Sequence, residues 1–104
     1  VTVDINGWPD YVFKKDYPLA TLSEVENHIK EKGHLKDIPS AEEVAEHGVF
    51  LGDMNARLLQ KIEELTLYTI GQEKEIQTLK KENEVLETLL KRVSKLEKQM
   101  SVKN

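Results

Sequence analysis

The second half of the chain is dominated by apolar residues that recur at alternating steps of three and four. Ile62 and Ile76 define the a positions of a heptad, and leucines fill most of the d positions. A heptad held over this many turns predicts a left-handed coiled coil of two or more chains. We call its a and d residues the seam, which comprises Leu51, Leu58, Ile62, Leu65, Thr69, Gln72, Ile76, Leu79, Asn83, Leu86, Leu89, Val93, Leu96 and Met100.

The seam changes frame near its end. A strict repeat would place Glu97 at an a position, whereas a shift at Leu86 keeps the seam apolar through Leu96. Two consecutive steps of three are a stammer, which overwinds the coil locally. The centre is weakest around Gly71, because glycine costs about 1 kcal/mol of helix propensity relative to alanine. Asn83, in contrast, is a polar a residue of the kind that fixes register at some cost in stability.

These residues leave the number of chains open. Isoleucine at a, leucine at d and Asn83 at a favour a parallel dimer. The apolar face widens at Leu58-Leu59 and again at Leu89-Leu90, which suits three chains better. A helix this long has too little partner surface within one chain, since the short helices before it could cover only its first turns. We therefore expect self-association, as a dimer or as a trimer.

The first seven residues have the pattern of a strand followed by a turn. Val1–Ile5 alternate apolar and polar side chains, and Asn6-Gly7 is a common turn pair. Pro9 and Pro18 bias the residues before them toward extended conformations. We therefore expect residues 8–19 to be mostly extended or irregular.

Two short helices are predicted to follow, each with clear boundary signals. The first begins after Thr21, whose hydroxyl can form a capping box with Glu24, and it ends at Gly33 in the left-handed conformation. The second begins after Ser40 with a box of the same type and ends at Gly48.

Residues 8–50 are predicted to form a small collar around the base of the coil. Leu22, Val25 and Ile29 recur at helical spacing and should form the buried stripe of the first short helix. The full set of predicted collar-packing residues is Trp8, Tyr11, Phe13, Tyr17, Leu22, Val25, Ile29, Val44 and Phe50. The fold is therefore expected to be mainly α, with the end of a stem at 1–7, the collar at 8–50 and a parallel coiled-coil helix at 51–104.

Composition excludes several kinds of site. The chain has 104 residues and no cysteine, which excludes disulfides and thiolate metal sites. No apolar run is long enough to span a membrane, so no membrane insertion is expected. His28, His34 and His47 match no metal-ligand spacing, and we expect neither a metal nor a cofactor. The pairs Glu42-Glu43 and Glu63-Glu64 are expected to face solvent, in helix capping and in charge pairing along the coil.

A leucine-zipper DNA-binding dimer is an alternative from a different class of protein. That architecture needs a basic helix leading directly into the N-terminal end of the zipper. Residues 50–61 supply only Arg57 and Lys61, and residues 1–50 carry five basic side chains against ten acidic ones. The basic excess lies instead at the far end, among residues 91–103. We therefore expect no nucleic-acid partner.

Several short motifs together resemble a known family. They are WPDYVF at 8–13, Asp16-Tyr17, LSEVE at 22–26, Gly33-His34-Leu35, Asp37-Ile38-Pro39-Ser40, GVFLGDMNARLLQKIEEL at 48–65 and Thr66-Leu67-Tyr68. Over about residues 8–70 the chain resembles the C-terminal region of tail-fibre-like surface proteins from Gram-negative bacteria and their phages. That region is related in placement to the intramolecular chaperone domains that end phage tail fibres and spikes. The family usually has proline where this chain has Lys36 and an apolar residue where it has Thr69, so the loop and the coil centre depart from its pattern.

The resemblance implies a homotrimer in which this region registers three chains before an upstream β-structured shaft folds. Its partners would be copies of itself and the shaft of the same chain, outside the cell, on a cell surface or a virion. Related phage domains cleave themselves with a serine and a lysine, but Ser23 and Ser40 suit a helix residue and a helix cap better. We therefore expect a non-enzymatic trimerisation module, with a generic coiled-coil adhesion or partner-binding module as the alternative.

Overall fold

The computed structural model describes residues 8–103, with side chains through Val102. The predicted strand Val1–Ile5 and the turn at Asn6-Gly7 lie outside the described residues. The fold is mainly helical, as expected, and the described residues contain no strand. The elements in chain order are a 3-10 helix at Pro9–Phe13, α1 at Leu22–Lys32, α2 at Ala41–His47 and α3 at Leu51–Lys103.

The chain divides into two units, Val1–Leu67 and Tyr68–Asn104. The first unit contains the 3-10 helix, α1, α2 and the first turns of α3. The second unit contains the remainder of α3. Within α3 the helix is continuous through Gly71 and through the frame shift at Leu86.

The prediction of an extended backbone is wrong for residues 9–13. Pro9 stands in the first turn of the 3-10 helix, where its fixed φ suits a helix start and its missing N–H costs no hydrogen bond. Trp8, which precedes the proline, has φ −56° and ψ 131°, as the residue before a proline should. Lys14 returns the backbone to an extended conformation. Pro9 therefore favours an extended backbone conformation in the residue before it and a helical turn in the residues after it.

The boundaries predicted for α1 are confirmed. The Glu24 amide donates to Thr21 Oγ1 at 3.1 Å, and the Glu24 carboxylate accepts from the Thr21 amide at 3.4 Å. Gly33 ends the helix at φ 77°, and its amide donates to the Ile29 carbonyl at 2.8 Å. A side chain at this φ would be strained, which explains why glycine terminates the helix here.

The boundaries of α2 are confirmed in the same way. Ser40 and Glu43 form the second capping box, with the Glu43 amide donating to Ser40 Oγ at 3.2 Å. Gly48 ends the helix, and its amide donates to the Val44 carbonyl. The next helix, α3, begins at Leu51. The Phe50 carbonyl, just before it, accepts a hydrogen bond from the Met54 amide at 2.9 Å.

The single chain buries little apolar surface. Among the described residues, the buried ones are Pro9 and Val12 on the 3-10 helix and Ala56 and Glu63 on α3. Neither α1 nor α2 contains a buried residue.

The buried stripe predicted for α1 is therefore wrong for the single chain. Leu22 and Ile29 remain exposed, and Val25 is half-buried. The named contacts between the collar and α3 are made by Tyr17 and Asp37, which lie outside α1 and α2, so they cover neither Leu22 nor Ile29. The other collar residues divide likewise: Tyr17 is half-buried, and the exposed ones are Trp8, Tyr11, Phe13, Val44 and Phe50.

Candidate oligomerisation surface

Tyr17 joins the collar to α3 through two hydrogen bonds. Its hydroxyl donates to Glu64 Oε2 and accepts from Gln60 Nε2 at 3.2 Å. The Tyr17 ring lies 5.8 Å from the Tyr11 ring, centroid to centroid. Burial, reinforced by the hydrogen bond to Glu64, raises the pKa of Tyr17 to about 12. Tyr17 is therefore a neutral donor at physiological pH, which suits its bond to a carboxylate.

A second group of contacts joins the loop between α1 and α2 to α3. Arg57 Nη1 donates to the Asp37 carbonyl oxygen at 2.9 Å, and Arg57 Nε lies 3.1 Å from Asp53 Oδ2. Lys61 Nζ lies 3.2 Å from Glu64 Oε1 and 3.8 Å from Asp37 Oδ2. Asp37 takes φ 67°, a left-handed conformation that aspartate tolerates better than most residues. We call the side chains of both groups the polar clamp: Tyr17, Asp37, Arg57, Gln60, Lys61 and Glu64.

Glu63 is the buried carboxylate of α3. It is 5% exposed, and neither of its carboxylate oxygens has a hydrogen-bond partner among the described residues. Burial, with the nearby negative charge of Asp10, raises the pKa of Glu63. The prediction that Glu63 and Glu64 face solvent is wrong, because the collar covers this side of the helix. Nothing in the local sequence distinguishes this pair from the solvated carboxylates of an ordinary coil.

The collar covers the side of α3 that points away from the seam. In the predicted heptad, Ala56 and Glu63 occupy b positions, and Arg57 and Glu64 occupy c positions. The b and c positions lie on the outer face of a coiled coil, whereas a and d face the partner helix. The buried residues of α3 and most of its clamp residues therefore lie on its outer face, while Lys61, at a g position, flanks the seam.

The seam residues of the same turns remain exposed. Leu51 is 70% exposed, Ile62 is 59% exposed and Leu65 is 63% exposed. Leu58, between them, is exposed as well. The first unit therefore exposes a stripe of large apolar a and d side chains, with the polar Asn55 at the a position between Leu51 and Leu58.

The second unit also exposes its own seam residues. The exposed seam residues there are Thr69, Gln72, Ile76, Leu79, Asn83, Leu86, Leu89, Val93, Leu96 and Met100. Leu90 is also exposed, so the apolar face is wide at Leu89-Leu90. In the first unit Leu59 is half-buried. Part of the wide apolar face predicted at Leu58-Leu59 is therefore already covered within the single chain.

Two histidines that lie apart in the sequence meet in the collar. The His28 and His34 rings lie 5.8 Å apart, edge to face. His34 Nδ1 lies 2.9 Å from the Leu35 carbonyl oxygen, which can only accept, so Nδ1 carries the proton. His28 Nε2 is buried without a hydrogen-bond partner among the described residues. The spacing of the two histidines gave no signal of this contact, which arises because Gly33 turns the chain back.

The described residues show neither a candidate metal site nor a candidate membrane-spanning helix. They contain no group of three or more histidine or acidic side chains arranged to hold a metal ion. Across the same part of the chain, no helix combines the length and the apolar composition needed to cross a membrane. Comparison of the chain with protein-family models, with curated proteins and with solved structures finds no match.

Proposed function

We propose that this chain is the C-terminal oligomerisation and registration module of a trimeric, tail-fibre-like surface protein. It has no catalytic role, and it acts by aligning three chains so that an upstream shaft can fold in register. It works outside the cell, on a cell surface or a virion. The motifs at 8–70 and the exposed seam of α3 support this function together.

The observation that carries the proposal is the side of α3 that the collar leaves open. Most helical stability in proteins comes from packing an apolar face against a partner rather than from helix propensity. Here the collar occupies the outer face, and the apolar side chains of the seam remain exposed to solvent. Copies of the same helix would bury that seam through knobs-into-holes packing.

Charges along the second unit favour parallel helices in register. In a parallel coil, a g residue faces the e residue five positions later on the neighbouring helix. Glu75 at g would then face Lys80 at e, and in the shifted frame Arg92 at g would face Glu97 at e. Asn83 at a adds a polar layer whose amides pair only when the copies are aligned. These features fix the register that the upstream shaft needs.

Three chains suit the seam better than two at its far end. The exposed pair Leu89-Leu90 makes the apolar face wider than a two-stranded seam requires. Registration by a local trimer also has a kinetic benefit, since aligning long shaft strands directly would cost large loop-closure entropy. A strong C-terminal trimer removes that cost before the shaft forms.

The first test is the mass of the purified chain by light scattering. A trimer of the 12.0 kDa chain gives ~36 kDa, a zipper-like dimer ~24 kDa and a monomer 12.0 kDa. Ile76→Asp should abolish assembly, while Ile70→Asp at a b position should retain it. The two isoleucines are a matched pair, 46% and 47% exposed in the single chain. A monomeric wild type, or equal loss of assembly in both variants, would contradict the proposal.

The second test concerns registration itself. Removal of residues 51–104 from the parent fibre should prevent native trimers from forming, whereas Ile70→Asp in the intact fibre should leave them unaffected. A truncated parent that still assembles into native trimers would leave this chain as an adhesion or partner-binding stalk only.

A further inference from the structure

Three lysines lie in a row on one side of the second unit. Lys91, Lys95 and Lys98 follow one another at steps of four and three residues. Because α3 is a continuous helix with about 3.6 residues per turn, these steps return each lysine to the same side. All three side chains are exposed. We call these three residues the lysine row.

The charge of the lysine row is not neutralised within the described chain. From residue 88 to residue 102 the only acidic residue is Glu97, which lies on a different side of the helix. Glu87 lies one turn before Lys91, yet no lysine of the row forms an ion pair among the described residues. Like charges three and four residues apart repel each other and destabilise a helix. The row therefore has a cost that some other interaction must offset.

The structure of the coil does not account for the lysine row. Ion pairs between copies use e and g positions, whereas these lysines lie on the outer face in both the strict and the shifted frame. Cations also stabilise the C-terminal end of a helix, but this effect is confined to the last turn. Lys91 and Lys95 lie more than two turns before the end of α3 at Lys103. The row therefore serves neither registration nor helix capping.

The surroundings of the row indicate which kind of anionic partner it suits. Nucleic-acid surfaces combine cations with aromatic side chains that stack on bases, and the last aromatic residue of the chain is Tyr68. A helix on a bilayer turns its apolar face to the lipid, and here the apolar seam lies on the side opposite to the lysines. A charged polysaccharide needs neither feature. The exposed hydroxyls of Ser94 and Ser101 lie beside the row, where they can bond sugar hydroxyls.

We propose that the lysine row binds a linear anionic polysaccharide that bears sulfate, phosphate or carboxylate groups. The inference goes beyond registration, because the row lies on a single helix and is complete in one copy. In the assembled coil each copy presents its own row outward, so a long polymer can contact several rows at once. Such multivalent contact strengthens binding without any further contact within each row.

Dextran sulfate is the probe, and uncharged dextran of the same length is its control. Titration calorimetry with the intact chain should show binding to dextran sulfate that weakens as the salt concentration rises. Uncharged dextran should not bind. Absence of binding to dextran sulfate at about 0.15 M salt, or equal binding of the two polymers, would overturn the inference.

A matched pair of double variants tests the row itself. Lys91→Gln with Lys98→Gln should lower the affinity for dextran sulfate about tenfold or more. Lys74→Gln with Lys81→Gln should leave the affinity nearly unchanged, because these lysines stand among the glutamates of residues 73–84. Each pair is exposed, lies seven residues apart and occupies the outer face of the coil. Equal losses of affinity in the two double variants would overturn the inference.

Partners of other classes are tested in the same titration. Duplex DNA or vesicles of anionic lipid that bind more tightly than dextran sulfate, at equal concentrations of charge, would overturn the assignment to a polysaccharide. Both double variants should retain the trimer mass in light scattering, because the seam is untouched. A monomeric wild type that binds dextran sulfate through the row would contradict the proposed function and support this inference.

Discussion

Tyr17 donates its hydroxyl hydrogen to Glu64, a residue 47 positions further along the chain. This bond is the longest-range hydrogen bond among the named contacts, and it ties the loop before α1 to the middle of the covered part of α3. Glu64 lies on the side of α3 that the collar covers, next to the buried Glu63. Together with the contacts of Asp37 to Arg57 and Lys61, this bond joins the collar to that side of the helix.

Alkaline pH should weaken the attachment of the collar. The pKa of Tyr17 is raised from 10.0 to about 12, so its contribution is fully present below pH 10.0 and is lost as the pH rises through about 12. Tyr17→Phe should lose about 1–2 kcal/mol at neutral pH, because Glu64 and Gln60 lose a partner. Urea unfolding from about pH 9 to about pH 11 should show the wild type and Tyr17→Phe converging. Parallel curves over that range would contradict the role of the Tyr17 hydroxyl.

Glu63 and Glu64 are adjacent, yet their replacement should have opposite effects. The pKa of Glu63 is raised above its usual 4.5, so its favourable contribution is present below pH 4.5 and is lost as the pH rises through the folded-state value. Glu63→Met should therefore raise the free energy of unfolding at neutral pH by about 1–2 kcal/mol. Glu64→Met should lower it by about 1–3 kcal/mol, since it removes the acceptor of the Tyr17 hydroxyl and leaves Lys61 with Asp37 alone. Chemical unfolding measures both, and effects of equal sign would contradict the burial described for Glu63.

Gly71 should be replaceable with a gain in stability. It lies within α3, and a Cβ added there meets nothing within 4 Å. Gly71→Ala should stabilise each helix by about 1 kcal/mol and raise the melting temperature of the assembly. Gly33→Ala is the contrasting variant, because Gly33 has open space but a φ of +77°, and it should destabilise the chain. A loss of stability for Gly71→Ala would show that assembly places another chain against this position.

The frame of the last turns can be determined by cross-linking, since the chain has no cysteine of its own. In the shifted frame Leu96 faces the partner, whereas in the strict frame Glu97 does. Leu96→Cys should therefore form interchain disulfides under mild oxidation, and it should do so only if the helices are parallel and in register. Lys98→Cys is the control, because position 98 lies on the outer face in both frames. Faster cross-linking of Glu97→Cys would contradict the stammer at Leu86.

The helix boundaries could be predicted because their signals are local. Each capping box joins residues three apart, and each terminator is a glycine at a positive φ, so neighbouring residues alone decide where α1 and α2 begin and end. The seam could be predicted for the same reason, because its heptad repeat is visible in the sequence of one helix. Pro9 acts in two directions, because it restricts the residue before it to an extended conformation and its fixed φ also suits the first turn of a helix, and the sequence pattern alone does not show which effect dominates in the residues after it.

The docking of the collar could not be predicted in the same way. Tyr17, Glu63 and Glu64 acquire their environments from contacts between distant parts of the chain. A glutamate pair on an amphipathic helix has the same sequence pattern whether it is solvated or covered. For the same reason, the apolar stripe of α1 predicted a buried face without indicating that its own chain leaves that face open.

The position of the collar on the outer face of α3 also limits which sides of this helix can bind a further helix. A helix that exposes apolar residues on several sides presents a large apolar surface, and such a surface favours non-specific association. Leu59 and Leu67 lie off the a/d stripe in the first unit, and both are half-buried in the single chain. Within these turns of α3, the large apolar side chains that remain exposed are therefore those of the a/d stripe. Any partner that binds this part of the helix through apolar contacts is directed to that one stripe.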